Sequence, residues 1–325
     1  MKSPNEKSLV SVIVVTYNSG KFVTETLESI KNQSYQNIEL IITDDSSTDD
    51  TLSLCKVWID NNTKRFNRVC LLTNPINTGI SPNCNRGLFE SRGDWVKLIA
   101  GDDILLPDCI KKNIDHIPKS NSNIAVLNSN MSIYRHNFES SSFIRIADRS
   151  KHIFNNRYIY PKEQLAFLVR GYGLLAPTSF FKRDIIVNLG GFDETLPYED
   201  GPMWVKLASN GYNLFYFNDV TVSYRFYDSY SNKKKESLLF NEMFQKDYIV
   251  YRNVYRKHLN CVENFFIELE YRIKKIFYKK NLAERNTINS FLYKAVTIPS
   301  YIVRKFSLFF IVVKIKLRLK YEKVG

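Results

Sequence analysis

The chain repeatedly sets acidic residues side by side, where like charges repel. Asp102 and Asp103 close the run KLIAGDD (97–103). Asp44 and Asp45 open DDSSTDDT (44–51), and Glu199 and Asp200 fall within GGFDETLPYEDGPMW (190–204). Such pairs are unfavourable unless water, a cation or a polar ligand compensates them. Hard oxygen donors hold divalent cations, and a positioned carboxylate can take a proton from an attacking hydroxyl. Each cluster alone has a plainer reading. Asp-Asp-Ser-Ser makes an ordinary loop and helix cap, a lone Asp-Asp a solvated turn, and Glu199-Asp200 a pair of helix N-terminal carboxylates favoured by the macrodipole. Their order and spacing, with TYN (16–18) ahead of them, give the set its weight.

The intervening elements must bring these clusters together. LVSVIVVTY (9–17) is a near-continuous β-branched run, as in a strand buried on both faces. IELIIT (38–43), RVCLLT (68–73) and DWVKLIA (94–100) read as further strands. Between them, Phe22, Val23, Leu27 and Ile30 recur at helical spacing, and SPNCNRGLFES (81–91) is a short helix. TDDTLSLCKVWID (48–60) reads as a helix capped by Ser47 or Thr48, with Asp49 and Asp50 in its first turn. Strands alternating with helices predict βαβ units and a parallel sheet, which binds ligands, often nucleotides, at the carboxyl ends of its strands. Asp44-Asp45 and Asp102-Asp103 stand at such ends. Further on, IAVLNSNMSIY (124–134) and PTSFF (177–181) are strand-like, and EDGPMWVKLASNGY (199–212) is a helix closed by Asn-Gly.

Together these stretches resemble the family 2 glycosyltransferases. The resemblance runs over residues 9–231 and rests on SVIVVTYNSGKFVTETLESIKNQSYQNIELIITDDSSTDDT, NTGISPNCNRGLFESRGDWVKLIAGDDILLP, GGFDETLPYEDGPMWVKLASNGY and YRFYDSYS. It implies an α/β, Rossmann-like GT-A fold, a mixed, mainly parallel sheet flanked by helices, over residues 1–232; helical periodicity with many Tyr, Phe and Lys adds a basic helical extension over 233–325. It also implies transfer of a sugar from a nucleoside diphosphate to an acceptor hydroxyl. Mn2+ or Mg2+ would be held by Asp103, with Asp102 on the ribose or a metal-bound water, or with the two roles exchanged. Asp45 would accept the N3–H of uracil, with Val15 and Tyr17 lining the base site, which favours a UDP-sugar and then a dTDP-sugar. Asp44 is expected to be structural. Asp200 would be the base of a single inverting displacement giving a β-linkage, and Arg225 would face the diphosphate. The chain departs from the family pattern at Ala100-Gly101, where the first acid is missing, at Cys84, where an Arg is usual, and at Tyr227, where a His is usual. Arg86 lies two positions beyond Cys84 and is expected either on the nucleotide or at the surface. Trp204 is expected under a sugar ring or in the core.

The 325 residues carry a net charge of +13. Residues 1–232 hold 25 basic and 25 acidic side chains, whereas 233–325 hold 21 and 8. The whole excess lies in an aromatic-rich tail, which points to an anionic surface such as a membrane leaflet. Its longest purely apolar run, LFFIVV (308–313), is too short to span a bilayer, and YIVRKFSLFFIVVKIKLRLK (301–320) mixes apolar and cationic residues as an interfacial helix does. No signal peptide is expected, and five Cys without metal spacing predict reduced thiols. These features predict a peripheral enzyme at the inner face of a cell membrane, acting on a glycan or lipid-linked saccharide in surface polysaccharide assembly. The four His sit at no ligand-like spacing. A nucleotidyltransferase is the alternative enzyme, but the first loop, TYNSGKF, has one Gly and one Lys rather than a Gly-rich basic phosphate loop. Nucleic-acid or scaffold binding through the tail would leave the aligned carboxylates without a purpose, so no nucleic-acid partner is expected.

Overall fold

The computed structural model describes residues 8–118, 123–148, 159–226, 242–280 and 286–322. In chain order it gives β1 (Val10–Thr16), α1 (Val23–Lys31), β2 (Ile38–Asp44), α2 (Thr51–Asn62), β3 (Arg68–Thr73), α3 (Ile80–Glu90), β4 (Trp95–Ala100) and β5 (Ile104–Leu105). Then follow α4 (Cys109–Asp115), β6 (Ile124–Arg135), β7 (Phe143–Ala147), α5 (Pro161–Leu168), β8 (Phe180–Lys182), α6 (Arg183–Asn188), α7 (Asp200–Ser209) and β9 (Asn213–Phe226). The C-terminal part adds α8 (Glu242–Val250), a π-helical turn at Tyr251–Tyr255, α9 (Cys261–Lys279) and α10 (Thr287–Glu322). Tyr227, the position of the expected His replacement, lies outside the described residues.

The strands form one sheet in the order β3-β2-β1-β4-β8-β6-β9-β5, with β7 paired to β6. β3, β2, β1 and β4 run parallel, as do β6 and β9, while β8 joins the two groups by antiparallel pairing to β4 and β6. Every residue of β1 and β2 is buried, which is why both read as unbroken β-branched runs. Along β1, Val12 and Val14 enter the apolar cluster on one face, and Ile13 and Val15 the cluster on the other. That is the two-residue period of a strand.

Local detail departs from the expectations in three places. Helix α2 begins at Thr51, and the carboxylate of Asp49 accepts the Thr51 N–H at 3.0 Å. Ser47 is drawn elsewhere: its hydroxyl accepts the Asn18 N–H at 2.8 Å and donates to Asp44 at 2.5 Å. PTSFF divides into a 3-10 turn, Ala176–Thr178, and the short strand β8. In the tail, the apolar runs are joined by their helical setting: α10 is a helix long and apolar enough, by length and composition, to cross a membrane. It packs against α9 and α5. Leu308 and Ile315 are buried there, with Ile311, Val312 and Leu319 against the same core.

Candidate functional site

The site is built at the carboxyl ends of β1 and β4. Gly101 to Asp103 follow β4 directly, and Val15 is the penultimate residue of β1. The distant 190–204 segment is brought over by α3. Asn85 clasps Phe192 twice, donating to its carbonyl at 2.9 Å and accepting its N–H at 2.8 Å, and it donates to Glu194 at 2.8 Å. Gly191 has φ +71, and a Cβ there would run into the Asn85 amide, so this crossing requires glycine. The segment then turns into α7, whose first residue is Asp200.

One cavity of about 370 Å3 is lined by Val15, Asp102 and Asp103 on one side of the chain's path and by Glu199 and Asp200 on the other. Two sequence-distant acidic pairs therefore share a single chamber. Burial, and then the charge of Asp102, push the Asp103 carboxyl well above its usual range. Burial followed by the charge of Asp200 pushes Glu199 up to about 7, and burial also raises Asp200. Asp200 accepts the N–H of Gly201 at 2.6 Å, an orphan donor of the helix start. Tyr224, also in the lining, is pushed up to about 12 by burial and by Asp103 and Asp102.

Beneath the chamber the acidic pair is held from below. Asp103 is 1 % exposed, and its Oδ1 accepts the Arg225 N–H at 2.8 Å. The Arg225 guanidinium donates to the Asp102 carbonyl at 2.8 Å, to the His136 carbonyl at 2.6 Å and to the Glu25 carboxylate. It lies between the rings of Phe22 and Phe138, at 4.2 and 4.1 Å. Lys97, fully buried in β4, has its ammonium near the Ser179 carbonyl at 3.3 Å, and burial lowers it to about 8. Sequence reasoning missed Lys97; a lone charge inside an apolar strand was the available signal.

Asp45 stands one step outside the lining. Its oxygens accept the N–H groups of Thr78 and Gly79 at 2.9 and 2.7 Å, the Thr78 hydroxyl at 2.7 Å and the Arg86 guanidinium at 3.3 Å. Ile80, the next residue, faces the cavity. Arg86 is thus paired to Asp45 and Asn83 rather than standing free at the surface. Asp44 accepts from the Thr16 hydroxyl at 2.9 Å and the Ser47 N–H at 2.9 Å, a structural role. Tyr17, just past β1, is 51 % exposed.

Residues 11–188 match Glycosyl transferase family 2. The chain belongs to this family. An uncharacterised glycosyltransferase of Rickettsia typhi is 25% identical over 230 residues, 70% of this chain and 67% of that protein. Glycosyltransferase GlyG of Streptococcus pneumoniae is 31% identical over 120 residues, which span 37% of this chain and only 38% of GlyG. Among solved structures, S. aureus TarS in complex with UDP-GlcNAc aligns with TM-score 0.56 at 20% identity, over 91% of this chain and 79% of that one. A Pyrobaculum calidifontis mannosyltransferase in complex with GDP-Man and Mn2+ aligns with TM-score 0.53 at 16% identity, over 95% and 74%. These likenesses establish the GT-A fold that the glycosyltransferase resemblance implied.

For this family 2 glycosyltransferase, Val15, Asp102, Asp103 and Asp200 meet in one chamber, with Asp45 adjoining through its loop. Trp204 is 4 % exposed, packs on Gly173 and belongs to the core beside the chamber. No group of three His, Cys, Asp or Glu suited to a metal occurs among the described residues. The Asp102-Asp103 pair nevertheless fits a divalent cation. It offers hard oxygen donors at the cavity wall, with one Asp103 oxygen already accepting the Arg225 N–H and the other left to a cation. Two carboxylates leave the remaining coordination positions to substrate oxygens and water, as Mg2+ ordinarily prefers.

Proposed function

We propose that the protein is an inverting glycosyltransferase that moves a sugar from a UDP-sugar, or secondarily a dTDP-sugar, to a hydroxyl of a glycan or lipid-linked saccharide. The product is a β-linkage in surface polysaccharide assembly. The observation carrying this reading is the meeting of Asp102-Asp103 and Glu199-Asp200 in one cavity. Asp200 takes the proton of the acceptor hydroxyl as its oxygen attacks the anomeric carbon, and the nucleoside diphosphate leaves from the opposite face. One base and one displacement invert the configuration. Burial and the charge of Asp200 raise Glu199 to about 7, and burial raises Asp200 as well, so the pair carries one proton more readily than two separate carboxylates would. Asp102 and Asp103 would hold Mn2+ or Mg2+, whose charge offsets that gathering on the leaving diphosphate. Arg225, with its guanidinium spent on Glu25, His136 and Asp102, supports the acidic pair from beneath.

Uracil recognition is assigned to the end of β1 at Val15 and Tyr17, with Asp45, whose oxygens accept from Thr78, Gly79 and Arg86, holding the loop beside them. The UDP-GlcNAc held by S. aureus TarS supports that donor class, and the GDP-Man of the mannosyltransferase sets the competitor to test. Residues 1–232 are assigned to transfer and 233–325 to attachment at the inner face of an anionic membrane. The test is a screen of UDP-, dTDP- and GDP-sugars by nucleotide release with Mn2+ or Mg2+. We expect UDP-sugars to lead and chelation to abolish turnover. Asp200→Asn should lower turnover at least ~100-fold, the usual weight of a general base, with UDP affinity nearly intact. Unchanged turnover would remove Asp200 from the reaction.

A further inference from the structure

A second cavity, of about 380 Å3, adjoins the catalytic chamber through the Tyr198–Gly201 segment. Tyr198 lines it, while the next two residues, Glu199 and Asp200, line the first cavity. Tyr255 lines it too, and its hydroxyl closes on Gly201, where an added Cβ would meet it at 2.7 Å. Apart from Val169, Gly171 and Tyr198, the lining comes wholly from the C-terminal helices and the turn between them.

We propose that this cavity binds a neutral sugar ring of the acceptor, one or more units away from the hydroxyl that attacks. The inference rests on the glycosyltransferase reading above and adds a site to it. Six aromatic rings line the space: Tyr198, Phe244, Tyr248, Tyr251, Tyr255 and Tyr293. Aromatic faces take up the C–H faces of a sugar, and phenol and carboxylate groups take its hydroxyls. Asp247 is exposed at the wall, and the Tyr198 phenol donates to the Met243 sulfur at 3.7 Å, so a carboxylate is open to the space. Lys274 is 3 % exposed, but its charge is already answered: its ammonium lies 2.7 Å from Glu270 and 3.9 Å from the Phe244 ring centre. Ser300 donates to the other oxygen of Glu270. With Arg304, the lining holds two acidic and two basic groups, so it offers no net field for a phosphate or an acidic sugar. The volume falls within the range of small-molecule sites.

The test uses the full chain and saturation-transfer NMR with cellobiose, lactose, maltose and N,N′-diacetylchitobiose. At least one of these disaccharides should receive saturation, strongest at its ring C–H protons. Asp247→Asn and Tyr198→Phe should each weaken that binding about tenfold, the weight of one hydrogen bond to a charged or buried partner. Lys111→Ala, at an exposed side chain of α4, should leave it unchanged. Hydrolysis of the UDP-sugar without acceptor, measured in parallel, reports on the donor reaction alone. Saccharide binding that responds to both variants supports the site whatever the hydrolysis shows. Intact hydrolysis with no disaccharide bound, or binding indifferent to both variants at unchanged thermal stability, overturns it.

Discussion

Glu199 and Asp200 are neighbours in a buried place, and two negative charges there are worse than one. Burial pushes Glu199 up to about 7, and Asp200's charge adds to the shift. An acid whose pKa rises on folding binds more protons in the native state than in the unfolded chain. Stability from that proton is therefore complete below the ordinary glutamate range and is lost as pH climbs towards 7. Glu199→Gln carries no charge to bury and should escape the loss. Its melting temperature should match the wild type near pH 4 and exceed it by several degrees at pH 8. Equal melting curves across that range would show that folding leaves the titration of Glu199 unchanged. The paired acids were legible in the sequence because like charges side by side demand an explanation. Lys97 showed only as a lone charge in an apolar strand, and the Phe22–Arg225–Phe138 sandwich not at all, because their partners come from strands and loops far along the chain. The expected part of Arg225 on the diphosphate is replaced in our reading by support of Asp102 and Asp103, since the side chain is 3 % exposed with its fork turned to protein acceptors.

At the scale of elements, the first half was readable because its strands are buried on both faces and its helices bury one. Composition alone then marks the period. Element ends were less readable: Asn18 and Asp44 together hold the Ser47 hydroxyl away from α2, and Asp49 accepts the Thr51 N–H instead. The crossing of the 190–200 segment over α3 decides whether Asp200 reaches the chamber at all. Gly191→Ala would force a side chain into a left-handed conformation and press a Cβ on Asn85 and within 3.0 Å of the Phe89 ring. We expect a loss of roughly 1–3 kcal/mol in stability, the range for such strain, together with a fall in turnover larger than the fall in donor affinity. Urea unfolding and donor kinetics on the same preparation would check both. Wild-type turnover in a destabilised variant would separate the Asn85 clasp from the placement of Asp200.

Over the whole molecule, the charge imbalance and the exposed apolar surface fall on the same end of the chain. On α10, Leu308, Ile311, Val312 and Ile315 face the protein, while Ile302, Phe306, Phe309, Phe310 and Leu317 are exposed. By the helical period those exposed residues lie on the opposite side of the helix. Lys314, Lys316 and Lys320 stand exposed along its last turns. Each cation near an anionic leaflet contributes about 1 kcal/mol and each buried Phe about 2, so neither source alone would bind firmly and both together would. Arg318 donates to Glu163 at 2.8 Å, tying the last turns of α10 to α5. We therefore expect the full chain to float with vesicles containing phosphatidylglycerol, weakly with phosphatidylcholine alone, and less in high salt. Phe306→Asp with Phe309→Asp should lower vesicle affinity at least ~100-fold, since two buried rings and two new charges act together. Carbonate at high pH should release the wild-type protein from membranes of an expressing cell. Retention after that wash would mean that α10 crosses the bilayer, and equal flotation with neutral and anionic vesicles would mean that the basic tail has some other partner.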